Sequence, residues 1–393
     1  MMNRKYALVV ITCFLVVCGL MGCGTAGKKP INLSGSASWR FPGEFEKQQA
    51  IWLMWPSEVY QQGDRNVVPD MTNIIRSLAK YIKVNVMVDG ESQMEDIKTL
   101  LKNAGYTGTN IKYYVISHQS IWARDVGPIF VKGTDNRLRV VNFGFNNYSR
   151  DGDPEYIRNE GQVDRRSAEL LGLPVIDSRL MSEGGAIESN GKGTLMMTEA
   201  VVLKRNPGMS KLEIENEYKR VLGVKKIVWL KKGLAEDDAI TSGHINEIAR
   251  FADARTVLLV QVLPGDRNAS TTAQESYRRM EENYSILKSA TDQDGKPFRI
   301  IRVPIPPTFY AQAGSSGSVP VRSYVNYAVT NGAVVMPQYW RPGRPEAVRT
   351  TDIQAKQIIG RAYPGREIIG VDDESINLWG GGIHCITQHM PAI

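Results

Sequence analysis

Four short stretches of this 393-residue chain carry the side chains best suited to chemistry. Gly380-Gly381-Gly382-Ile383-His384-Cys385 ends in a thiol, and Gly243-His244-Ile245-Asn246 carries an imidazole. Glu183-Gly184-Gly185 and Trp122-Ala123-Arg124-Asp125 carry carboxylates. Glycines beside such groups let a ligand approach the backbone closely. Once the N-terminal segment is set aside, Cys385 is the one unmodified thiol, either a small buried apolar residue or a nucleophile. Each of the others has an ordinary reading when taken singly. Asp125 could be a turn residue or pair with Arg124, His244 a hydrogen-bonded core histidine, and Glu183 a cap on a glycine turn. Taken together, a thiol, an imidazole and carboxylates on glycine-rich loops suit nucleophilic attack on an electrophilic carbon. No cysteine-protease signature surrounds Cys385, and a neutral amide would not need the acidic groups. Carboxylates suit a cation, and a guanidinium is planar, permanently charged and able to pair with them two-pronged. Asp125 is the best such clamp, and a bound guanidinium would also favour the thiolate.

These stretches follow a weakly repeating unit of amphipathic helix, β-branched strand and glycine-rich loop. The spacing predicts helices over 70–82, 93–103, 163–171, 211–222, 272–289 and 352–361, each feeding a strand. If the units stack about one axis, equivalent loops face a common centre and deliver Asp125, Glu183, His244 and Cys385 to one site. The fold class is α/β, and residues 39–393 read as a single catalytic domain.

The N-terminus has a different character. Arg4 and Lys5 precede an apolar run from Tyr6 to Leu20, which reads as a secretory signal. Leu20-Met21-Gly22-Cys23 resembles a bacterial lipoprotein processing box, so residues 1–22 are expected to be removed and Cys23 lipidated. Residues 23–38 are rich in Gly, Ser, Ala and Lys and read as a flexible tether. The expectation is an exported protein, periplasmic or surface-exposed, held to a bacterial membrane by its acyl chains. The net charge of +7 is spread along the chain and no nucleic-acid-binding signature is present, so no nucleic acid is expected as partner. His118 and His389 read as surface or core residues. No histidine pair has ligand spacing, so no metal is expected.

The joint pattern resembles the agmatine deiminase and bacterial peptidylarginine deiminase family of the guanidino-group-modifying (pentein) superfamily. Trp122 to Pro128 is similar to its W-x-R-D-x-G-P segment, and Glu183-Gly184-Gly185 with Gly191, Gly193 and Thr194 to its E-G-G…G-x-G-T. Gly243-His244-Ile245 matches G-H-I. Asn326-Tyr327, Asn331-Gly332 and Val334 to Pro337 resemble N-x…N-G-x-V-V-x-P, and Gly380 to Cys385 with Thr387 and Pro391 resembles G-G-G-x-H-C-x-T…P. The resemblance implies a five-bladed pseudo-symmetric α/β propeller and conversion of a guanidino to a ureido group plus ammonia, with no cofactor. It implies Cys385 as covalent nucleophile, His244 as general acid and base, Glu183 as its support and Asp125 as a guanidinium clamp. Trp122, Asn246 and Arg150 become candidate substrate-binding residues, Arg150 for a substrate carboxylate. His384 is expected to face away from the thiol and hold its loop.

The pattern departs from the family at one point. Where the family has G-H-x-D, this chain has Asn246, which keeps the shape and loses the charge. Glu247 is expected to point elsewhere, as on a strand. The expected substrate is agmatine or free or peptidyl arginine. The alternatives are an altered amidine hydrolase or a lipid-anchored guanidine-binding protein with weakened turnover, and restoring aspartate at 246 is expected to raise deimination.

Overall fold

Six amphipathic helices form close to where their apolar spacing places them, over Val68–Ala79, Glu91–Asn103, Val163–Leu171, Lys211–Leu222, Thr271–Ser289 and Glu346–Ala362. The computed structural model describes residues 38–307 and 321–393. The Lys211–Leu222 helix shows why its ends are sharp. The Ser210 hydroxyl accepts the Glu213 N–H and the Glu213 carboxylate accepts the Ser210 N–H, while Gly223 closes the helix in the left-handed region. The last helix begins six residues before its expected start. Asp352 does not cap it. Its carboxylate is drawn inward to accept from Tyr324 Oη at 2.6 Å and the Trp340 N–H at 2.8 Å.

The described strands make five sheets. One contains Gln388–Pro391, Gln48–Met54, Lys83–Val88 and Ile111–Val115, and a second Trp39–Arg40, Ile129–Gly133, Leu138–Gly144 and Val175–Met181. The third joins Ile187–Ser189, Thr194–Thr198 and Lys226–Leu230, the fourth Ala249–Phe251, Thr256–Gln261 and Arg299–Pro304, and the fifth Ala328–Val329, Ala333–Pro337 and Glu367–Val371. Every sheet has an antiparallel pair whose second strand pairs in parallel with a third. Parallel pairing needs a long crossover, which is what the helices supply. Six helix–strand pairs fit five sheets because Glu91–Asn103 and Ile111–Val115 add a fourth strand beside Lys83–Val88.

The core lies between each helix and its sheet. Met71, Ile74, Ile75 and Leu78 pack with Val84, Val86 and Val88, and Ile214, Tyr218, Val221 and Leu222 pack with Ile176, Leu195 and Met197. Among the described residues no helix is long and apolar enough to cross a membrane. The expected signal segment, its cleavage point and Cys23 lie outside the described residues, as does the tether apart from Ser38.

Candidate active site

Each of the five sheets begins its antiparallel pair just after a loop that carries a polar side chain inward. Asp125 precedes Ile129–Gly133, Glu183 precedes Ile187–Ser189, and His244 precedes Ala249–Phe251. Asn326 precedes Ala328–Val329, and Cys385 precedes Gln388–Pro391. Hydrogen bonds close these loops into a ring. The Gly185 N–H donates to Asp125 Oδ1 at 3.1 Å, and Glu183 Oε2 lies 3.3 Å from His244 Nε2. Asn326 Nδ2 donates to Glu247 Oε1 and, at 3.1 Å, to Cys385 Sγ. The Arg124 N–H then donates to the Cys385 carbonyl at 3.1 Å. The ring gathers Asp125, Glu183, His244, Asn246 and Cys385, all buried.

Local backbone chemistry fixes the imidazole. The Asp237 carboxylate accepts the N–H groups of Thr241, Gly243 and His244 at 3.0, 3.1 and 3.0 Å. Gly243 takes φ +105° there, and a Cβ would stand 2.5 Å from the Gly233 nitrogen, so only glycine makes the turn. Among the described residues His244 Nδ1 has no hydrogen-bond partner, and it lies 3.8 Å from Asp125 Oδ1. Asn246 Nδ2 donates to His384 Nδ1 at 2.9 Å and to Cys385 Sγ at 3.4 Å, and its buried Oδ1 has no hydrogen-bond partner among the described residues. Gly185 lies against this cradle. A Cβ on it would come within 2.6 Å of His244 Nδ1, 2.7 Å of Asp125 Oδ1 and 3.1 Å of Asn246 Nδ2.

Glu247 departs from expectation. Residues Ile245–Glu247 form a 3₁₀ turn rather than a strand. In such a turn residues three apart eclipse, so Glu247 comes round to the side of His244. The Cys385 thiol donates to Glu247 Oε1 at 3.4 Å. Asn326 and Tyr148 were also missed as site residues. Asn326 lies in the segment similar to N-x…N-G-x-V-V-x-P, where an asparagine by itself signals no chemistry. Tyr148, whose Oη donates to Asp125 Oδ2 at 2.9 Å, lay in a polar stretch read only for Arg150. Asn147, Tyr148 and Ser149 take φ of 52°, 59° and 58°, a run of left-handed non-glycine residues of the kind that collects at functional loops.

The electrostatics follow from burial and like charge. Burial, then Glu247 and Asp125, push the Cys385 thiol well above its usual range. Burial, then Asp237, push Glu247 up to about 8, against the hydrogen bonds from Cys385 and Asn326. Burial raises Asp125 more than His244 lowers it. Burial alone would lower His244, but Asp125 and the Glu183 hydrogen bond outweigh it and raise the imidazole. Burial would raise Glu183, but His244 and Arg205 outweigh it and hold the carboxyl low. Glu183 has its own cation, for Arg205 Nε donates to its Oε1 at 2.6 Å. A guanidinium placed among Asp125, Glu247 and Cys385 would oppose the burial and like-charge repulsion that raise all three.

The other candidates lie around this ring. Trp122 is half-buried and its ring packs over Gly381, where a Cβ would meet it at 2.6 Å. Arg150 is exposed, with its guanidinium 4.9 Å from the Tyr148 ring. His118 is buried between the carbonyls of Ile116 and Trp55. His384 turns its Nε2 to Glu44 at 3.0 Å, beneath the site. Glu44, His384 and His389 converge closely enough to hold a metal. Their ligand atoms are already engaged, because Arg124 Nη1 lies 2.6 Å from Glu44 Oε1, Arg124 Nη2 bonds His389 Nδ1 at 2.7 Å, and Arg250 also pairs with Glu44. Two buried guanidinium groups at that point do not suit a metal cation.

The model of the Porphyromonas-type peptidyl-arginine deiminase family matches residues 40–391. A protein provisionally named agmatine deiminase in Latilactobacillus sakei subsp. sakei is 31% identical over 376 residues, covering 90% of this chain and 96% of its own. The agmatine deiminase of Medicago truncatula is 29% identical over 384 residues, covering 90% and 97%. Among solved structures, the agmatine deiminase of Enterococcus faecalis superposes with a TM-score of 0.76 at 27% identity, over 90% of this chain and 96% of that one.

Proposed function

The chain belongs to the Porphyromonas-type peptidyl-arginine deiminase family, and on that premise we propose that it hydrolyses the guanidino group of agmatine or of free or peptidyl arginine to a ureido group and ammonia. The observation that carries this is the buried convergence of thiol, imidazole and carboxyls, Sγ included, upon one cradle. As the guanidinium binds, the Cys385 thiol releases its proton to solvent and the thiolate sulfur adds to the guanidinium carbon. His244, raised by its carboxylate neighbours, holds a proton for the departing nitrogen. The carbon–nitrogen bond breaks, ammonia leaves, and an amidino-thioether remains on Cys385. His244 then takes a proton from water as its oxygen adds to the same carbon. The carbon–sulfur bond breaks as the added hydroxyl gives its remaining proton to the released ammonia, leaving the ureido product and the Cys385 thiolate. Glu183 and Arg205 hold the imidazole in place, and Asp125, braced by Tyr148 and the Gly185 N–H, pairs with the guanidinium. Substrate charge lowers the thiol's affinity for its proton, so the nucleophile is activated by the molecule it attacks.

The protein works outside the cytoplasm, lipidated at Cys23 and tethered to a membrane, which favours extracellular guanidines. The support for this is the run Tyr6–Leu20 ahead of Leu20-Met21-Gly22-Cys23. A colorimetric ureido assay with agmatine, arginine and arginyl peptides tests the chemistry. Wild-type chain is expected to form product and Cys385→Ser to form none while keeping its circular dichroism and melting transition. Turnover retained by Cys385→Ser would reject the covalent route. Detergent-phase partitioning of the expressed protein tests the anchor, and Cys23→Ser is expected to move it to the aqueous phase.

A further inference from the structure

We infer that Glu247 is the second guanidinium clamp of this site, the carboxylate being carried one residue beyond the position of the G-H-x-D pattern. The inference rests on the reading that the Cys385 site takes a guanidinium. Glu247 is 3% exposed and its Oε1 lies 3.4 Å from the sulfur, anchored on the far side by Asn326 Nδ2. The 3₁₀ turn at Ile245–Glu247 is what allows this, because it brings His244 and Glu247 to one side where a strand would part them. Asn246 cannot be the clamp. Its amide N–H groups are spent on His384 Nδ1 and Cys385 Sγ. That leaves Oδ1, buried and with no hydrogen-bond partner among the described residues, as a neutral acceptor for one guanidinium N–H. A carboxylate at 246 would have no proton to offer either acceptor. His384 Nε2 faces the Glu44 carboxylate and so carries the ring proton, which leaves Nδ1 as a lone pair.

With a guanidinium bound, the charge therefore sits on Glu247, opposite Asp125, with the Asn246 amide between them as an uncharged partner for the substrate. This reverses the expectation for position 246. Asn246→Asp alone places a second anion beside Sγ and Glu247 and removes the donor to His384, so it is expected to lower turnover.

The test measures binding by calorimetry in full-length chain carrying Cys385→Ala, so that no turnover occurs. The probes are agmatine, arginine amide and the ureido counterpart of each. Adding Glu247→Gln is expected to weaken the guanidines about 30-fold or more, the loss of one desolvated charge pair, and the neutral ureido compounds less than about threefold. Equal losses for guanidine and ureido ligands, or no loss for either, overturn the assignment. So does a Cys385→Ala chain that binds no guanidine at all. A second variant, Asn246→Asp with Glu247→Gln, moves the charge back one residue and is expected to regain guanidine affinity to within about tenfold of the parent. Should the chain bind guanidines through Glu247 while the colorimetric assay finds no product, the clamp stands and the proposed turnover does not.

Discussion

A carboxyl buried against a thiol leaves a mark on stability as well as on chemistry. Glu247 is held up to about 8, against an ordinary value of 4.5, by burial and by Asp237. It faces Asp125, Asp237, Asp373, Tyr339 and Cys385. The folded chain thus binds this proton more tightly than the unfolded chain. Its contribution to stability is complete below about pH 4.5 and is lost as pH rises through about 8. Glu247→Gln is neutral at every pH and escapes that loss. The variant is expected to melt close to wild type at pH 5 and several degrees above it at pH 9. Parallel melting curves across that range would show that the carboxyl is not proton-loaded in the fold. Tyr148 gives a second prediction, because its hydroxyl is one of two donors holding Asp125 in place. Tyr148→Phe is expected to cost on the order of tenfold in kcat/KM, one hydrogen bond to a charged acceptor, with little change in melting temperature. Neither residue stood out in the sequence. The types that carry chemistry in isolation, Cys385, His244, Glu183 and Asp125, could be read there. Glu247 was lost because its placement depends on a three-residue change of helical period that apolar spacing does not encode.

The element that joins these side chains is the loop ahead of each antiparallel pair, and Gly185 is the point where two of them touch. The methyl group of Gly185→Ala would sit 2.6 Å from His244 Nδ1 and 2.7 Å from Asp125 Oδ1, in the space where a substrate nitrogen must lie between them. Deimination is expected to fall on the order of a hundredfold or more, since displacement of about 1 Å at a reacting centre is felt at that scale. The fold is expected to lose only about 1–3 kcal/mol from overpacking. A variant with near wild-type kcat/KM would mean that the substrate does not use this cradle. Helices and parallel strands were legible because burying one face imposes a period on the sequence, as in Val163–Leu171 and Lys211–Leu222. The short strands Ile187–Ser189, Ala249–Phe251 and Ala328–Val329 were not, being two or three residues long and buried throughout. Those strands set the register of the loops before them. The equivalence of Asn326 with Asp125, Glu183, His244 and Cys385 therefore emerges only once the sheets are assembled.

At the scale of the whole molecule, the ring of loops must be held shut from beneath, and Glu44 does this. It comes from the segment leading into Gln48–Met54, and its carboxylate meets Arg124 Nη1 at 2.6 Å, Arg250, His384 Nε2 at 3.0 Å and His389 Nδ1 at 3.1 Å. Arg124 precedes Asp125 and His384 precedes Cys385, while Arg250 and His389 lie on the strands that follow the His244 and Cys385 loops. One anion thus ties three active-site loops to the N-terminal segment. Burial alone would raise this carboxyl, but Arg124, then His384, His389 and Arg250, outweigh it and hold it well below the usual range. Its stabilising effect is present above the unfolded glutamate value and is lost as pH falls through the lowered folded one. Glu44→Gln leaves Arg124 and Arg250 facing each other with Glu188 and, for Arg124, Asp125 as the remaining nearby anions, and Arg250 already uses Glu188 at 3.1 Å. Breaking a buried pair from one side costs on the order of 3–5 kcal/mol, so the urea midpoint is expected to drop by more than about 1 M. Because the lost tie serves the loops rather than the substrate, variant molecules that remain folded are expected to show a lower kcat with a nearly unchanged KM. A change of less than about 1 kcal/mol, the value of an exposed pair, would show that the loops are closed by their own hydrogen-bond ring and not by the charge below it.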